Sequence, residues 1–207
     1  MWIIVLEYLF HLAMRAADLP LAAEVCAEAR PHHARTYTHV RRERWKFREV
    51  LLSTLVQLSA ADIPQVESHI GSTKYYLNNV EKRMPSLSAD KQGMNAQLLY
   101  AKFLFYLNSK RYSDAVELRE SIGLYIKRHL LGAASQRTAT FMRMLMRVPT
   151  NDFDADACEN ACEHFESRLL HTLPAGNDEA ELIPYNILWR TVLNVLQRNA
   201  TDTRRRR

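Results

Sequence analysis

Apolar residues recur along this chain at intervals of three and four, the spacing that gathers them on one face of an α-helix. Leu6, Leu9, Phe10 and Ala13 make the first stripe, and Asp18-Leu19-Pro20 breaks it. Pro20 is placed to start a short second helix through Val25, Cys26 and Ala29, which Pro31 ends. A long helix follows from about Ala34 to Ser59, with Val40, Phe47, Leu51, Leu55 and Leu58 on one face. Asp62-Ile63-Pro64 opens the next, which continues through Val66, Ile70, Leu77, Val80 and Met84 and closes at Pro85. Ser88-Ala89-Asp90-Lys91 then starts the most apolar stretch, reaching about Asn108. From Leu98 to Leu107 its apolar side chains face every direction except at Lys102, the mark of a helix enclosed by neighbours.

Arg111-Tyr112-Ser113-Asp114 is a tight connection, after which Ala115, Ile122 and Ile126 resume the period and Gly132 stops it. A helix through Phe141, Met142, Leu145 and Met146 ends at Pro149, and Asn151 or Asp152 caps the one carrying Cys158, Cys162, Phe165 and Leu169. Pro174 to Asp178 is a loop, and Pro184 leads the last helix through Leu188, Val192 and Leu196. No segment alternates with period two. The pattern predicts an all-α chain of about nine helices with short breaks, so consecutive helices pack antiparallel.

Composition narrows this further. The 207 residues contain 5 Gly, well under the usual ~7%, which disfavours sandwiches, barrels and backbone phosphate cradles. Cys26, Cys158 and Cys162 are too few for a disulfide framework and read as free thiols of a cytoplasmic protein. The start is apolar only from Met1 to Leu6, too short for a secretory signal or a membrane span. It turns helical at once with no capping residue, which suits a beginning inside a larger helical array. Basic residues number 28 against 23 acidic, but without Arg204 to Arg207 the balance is 24 against 23, so the body has little charge bias.

Leu6, Leu9, Ala13, Ala22 and Ala29, and again Leu99, Phe103, Tyr106, Tyr112 and Ala115, stand at spacings that resemble a tetratricopeptide-type (TPR-like) helix–turn–helix repeat. Lys110-Arg111-Tyr112-Ser113-Asp114-Ala115 matches that family's inter-helix turn. Phe10 and Phe103 depart from it where a small residue is preferred, and no proline follows Ile122. The resemblance implies antiparallel helix pairs stacked as a TPR-like α-solenoid, a single helical-repeat domain over 1–200 before a disordered basic tail over 201–207. It also implies a non-enzymatic scaffold that binds a protein or peptide on its concave face. Terminal helical faces would serve homo-oligomer formation.

Several clusters bear on chemistry. Arg41, Arg42, Arg44, Lys46 and Arg48, interleaved with Trp45 and Phe47, form the densest basic run. It reads either as a solvated face whose stems lie over the core or as an anion, acidic-peptide or RNA contact with Trp45 as a stacking platform. The alternative function is a nucleic-acid-associated or regulatory module using that same Arg41–Arg48 helix. Tyr75, Tyr76 and Asn79 are of the kind that line peptide grooves. Asp152, Asp154, Asp156 and Glu163 have EF-hand spacing, but Ala157 replaces the Gly its turn requires. An acidic N-cap and first turn account for them. Cys158 and Cys162 lack partners for zinc. No catalytic motif, cofactor fingerprint, metal site or membrane segment emerges.

Overall fold

The computed structural model of the chain describes residues 2–36, 39–59, 93–132, 135–172 and 180–205, the side chains of 33–40 and 203–205 excepted. Among these residues every element is an α-helix, eight in number: α1 (Trp2–Arg15), α2 (Leu19–Thr36), α3 (His39–Ser59), α4 (Met94–Asn108), α5 (Tyr112–His129), α6 (Gln136–Thr150), α7 (Ala155–His171) and α8 (Tyr185–Arg205). They match eight of the predicted helices; the one expected from Asp62 to Met84 lies outside the described residues. None of the described helices is long and apolar enough to cross a membrane. The chain divides into two compact units, Met1–Asp90 and Lys91–Arg207, where the sequence is read as one domain over 1–200.

In the first unit α1 and α2 form a hairpin and α3 packs on α2. Leu6, Phe10 and Met14 of α1, with Ala22 and Ala29 of α2, are buried. α2 runs past Pro31, its expected end. Pro31 is exposed, so water can serve the carbonyl that its missing N–H leaves unbonded.

In the second unit α4, α6 and α8 all touch one another, while α5 and α7 pack as connecting helices between them. Their meeting point is aromatic. Phe141 of α6 stacks on Tyr185 of α8 at 4.5 Å, and Tyr100 of α4 meets both edge-on. The Thr138 and Tyr185 hydroxyls lie 2.9 Å apart, which satisfies the polar end of the cluster. α4 is buried through most of its circumference, as its apolar pattern predicts. α8 continues to Arg205, past the boundary at 201 expected for a disordered tail, and Asp202 on it pairs with Lys110 at 3.0 Å.

Three hairpin turns share one closure, although the third adds a second left-handed residue, Phe153, with φ of 59°. Ala17, Lys110 and Asp152 are left-handed, with φ of 54°, 55° and 51°. In each, the next N–H reaches back five residues, from Asp18 to Ala13, Arg111 to Tyr106 and Phe153 to Val148. This is the Schellman closure, usually made with Gly at the left-handed position. A small buried residue then stands one turn into the second helix: Ala22, Ala115 and Cys158.

Candidate functional site

The basic run on α3 does not form one surface. Arg41 is exposed, Arg44 is half-buried, and Lys46 pairs with Glu43 at 3.0 Å. Trp45 is fully buried against Phe10, with ring centroids 5.8 Å apart, so it presents no stacking face to solvent. Arg48 points inward, its guanidinium 4.9 Å over the Trp45 ring. Its Nη1 donates to Glu7 Oε1 at 3.2 Å, and its Nη2 lies 3.2 Å from His11 Nε2. Arginine only donates, so Nε2 of His11 accepts and its ring proton sits on Nδ1. Burial, followed by the nearby Arg48 charge, lowers the His11 pKa to about 4. Arg48 therefore serves to pin α3 to α1. Tyr75, Tyr76 and Asn79 lie outside the described residues.

The second unit has a groove that the sequence reading did not single out. α6 is buried over most of its surface by Thr138, Phe141, Met142, Leu145 and Val148. Its remaining stripe, Gln136, Arg143, Arg147 and Thr150, is exposed along the groove, with half-buried Met146 beneath it. α5 makes one wall and α7 the other. A hollow of about 260 Å³ is lined by Arg119, Arg143, Met146, Arg147, Thr150 and Phe165. A second, of about 550 Å³, shares Arg143 and Phe165 and adds Leu131, Gln136 and Arg168 among others. The shared residues set the two hollows side by side along one trough. Gly123 on α5 leaves room for Met146, whose Cε would lie 3.3 Å from a Cβ there.

Arg119, Arg143, Arg147 and Arg168 are all exposed, and among the described residues none forms an ion pair. Four exposed arginines from three helices thus border a trough that also holds apolar Met146 and Phe165. Such a trough concentrates carboxylates or phosphates while its floor accepts an apolar side chain. One signal for it was present in the sequence. α6 holds three arginines and no acidic residue, and Arg143 and Arg147 are an i,i+4 like-charge pair, which costs a helix a few tenths of a kcal/mol.

The acidic cluster before α7 has a local use. Asp154 caps the helix by accepting the Ala157 N–H at 2.8 Å, in place of the Asn151 or Asp152 expected, and Glu163 lies well inside the continuous helix. Among the described residues no three His, Cys, Asp or Glu side chains are grouped to hold a metal. Burial, and then the neighbouring Cys162, pushes the Cys158 thiol up to about 12. Burial likewise raises Cys162 to about 11, against the opposing pull of Arg147.

Comparison with family models, with curated proteins and with solved structures finds no match for the chain.

Proposed function

We propose that the chain is a non-enzymatic scaffold of TPR-like helical hairpins, and that the trough on α6 binds an acidic protein or peptide segment. The observation that carries this is the set of four exposed arginines, with no ion-pair partner among the described residues, around apolar Met146 and Phe165. Among the described residues neither hollow is lined by His, Cys, Asp, Glu or Lys, the side chains that usually move protons or attack substrates. The hydroxyl of Thr150 donates to the Arg147 carbonyl at 2.8 Å. Such a lining suits recognition.

The recurring Schellman turns with a small residue one turn later support a repeated hairpin unit. In this reading α8, which packs on α4, α6 and α7, is the capping helix that a row of hairpins needs at its end. The occupant is a segment with carboxylates on either side of a Leu or Phe anchor, laid along α6. The apolar floor favours such a peptide over a bare phosphate backbone, which would use the arginines alone. Three buried free thiols suit a reducing compartment such as the cytoplasm.

Fluorescence anisotropy with a labelled Glu-rich peptide carrying one Phe tests this reading. Saturable binding, lost on replacing Phe by Ala as well as Glu by Gln, is expected. A single-stranded oligonucleotide that binds more tightly, with affinity falling steeply in salt, would replace the peptide by nucleic acid.

A further inference from the structure

The outward face of α1 carries Trp2, Ile4, Val5, Tyr8, Leu9 and Leu12, all exposed, with Tyr8 69% and Leu12 63% accessible. The inward face is also apolar, through Leu6, Phe10, Ala13 and Met14. A helix apolar on both its inward and its outward face belongs inside an assembly. Six such side chains on 14 residues exceed the scattered single exposures of an ordinary surface. The polar residues of α1 do not interrupt this face. Glu7 and His11 are turned toward Arg48 on α3, and Arg15 lies at the helix end.

Trp2, Val5, Leu9 and Leu12 follow three-four-three spacing, the a/d pattern of a coiled-coil seam. The pattern reads the same in reverse. Set antiparallel to itself, α1 brings Trp2 opposite Leu12 and Val5 opposite Leu9, each pair occurring twice. A two-fold interface requires that self-complementarity. The two Arg15 side chains then lie at opposite ends of the seam, with no like-charge clash. At about 100 Å² for each of six half-exposed side chains, the face offers on the order of 600 Å² per copy. The pair then buries about 1,200 Å², the lower bound for a specific interface.

We infer that this face docks a second copy of the chain, α1 antiparallel to α1 in the Trp2–Leu12, Val5–Leu9 register. The contact is independent of the trough on α6, and either stands without the other.

Gel filtration with light scattering on the full chain tests it. Wild type is expected at twice the 24.1 kDa mass of one chain at high loading. Val5→Glu alone and Leu9→Lys alone each put a charge against an apolar residue of the second copy and should yield monomers. The double variant Val5→Glu/Leu9→Lys restores two Glu–Lys pairs across the seam and should recover the dimer at least in part. Both positions are exposed, so unchanged helical circular dichroism is expected throughout. A wild type that stays monomeric at high loading overturns the inference, as does a dimer that neither single variant weakens. Failure of the double variant to recover any dimer overturns it too.

Discussion

Arg137 and Glu181 lie 44 residues apart and are joined by two hydrogen bonds, from Nε at 2.7 Å and Nη2 at 2.6 Å, with both side chains buried. The remaining nitrogen of Arg137 donates to the carbonyls of Leu169 and Thr172, and Glu181 accepts the Tyr185 N–H at 3.0 Å. One guanidinium thus satisfies the last turn of α7 while its carboxylate partner satisfies the first turn of α8, ends that otherwise leave polar groups bare. Arg137→Met leaves a buried carboxylate alone and should destabilise the second unit by about 3–5 kcal/mol. Arg137→Met/Glu181→Leu removes both charges and should cost clearly less. Urea unfolding of the two variants checks this; equal losses would mean that the stranded carboxylate is not what costs stability.

His11 makes the stability of the first unit depend on pH. Its pKa is lowered to about 4 from 6.5, so between those values the unfolded chain binds the proton that the folded chain refuses. The contribution is complete above pH 6.5 and drains away as pH falls toward 4. Partial exposure screens it, leaving a loss on the order of 1–2 kcal/mol. A His11→Gln variant should show a flatter stability profile over that window in denaturant titrations at stepped pH.

The same fold hides its thiols. Burial raises Cys26 to about 12, with Glu49 adding to the effect, and the α7 pair is raised for the same main reason. All three are buried and free. A thiol-disulfide reagent at neutral pH should leave them unmodified in the folded chain and modify all three in guanidinium.

Ala17 is held left-handed at φ 54° at the α1–α2 turn, a conformation that costs an L-residue roughly 1–2 kcal/mol. Ala17→Gly removes that cost while losing about 0.5–1 kcal/mol to the freer unfolded chain. A net gain of up to about 1 kcal/mol is expected. Ala17→Val should lose stability. Thermal unfolding of the two side by side decides the sign.

These turns mark what a single sequence conveys and what it withholds. The three–four periodicity locates the helices, because each must bury a stripe. The breaks between helices are visible as well, but their left-handed closure is not, because Ala17, Lys110 and Asp152 stand where Gly ordinarily signals a stop and the closing bonds are backbone to backbone. Trp45 among arginines reads as an exposed platform. It is instead covered by Phe10, 35 positions earlier in the chain, and periodicity on α3 alone does not contain that contact. The arginines of α6 are visible as an acid-free helix, but the trough exists only because α5 and α7 flank the one stripe of α6 left uncovered.

The central claim is that the α6 trough recognises acidic segments, and charge reversal tests it most directly. Anisotropy titrations of the Phe-containing Glu-rich peptide would compare wild type with Arg143→Glu/Arg147→Glu. Both residues are exposed, so the fold should be retained. The account predicts that the double reversal weakens binding at least about a hundredfold, roughly 3 kcal/mol. Equal affinity of the two proteins for the peptide would contradict it.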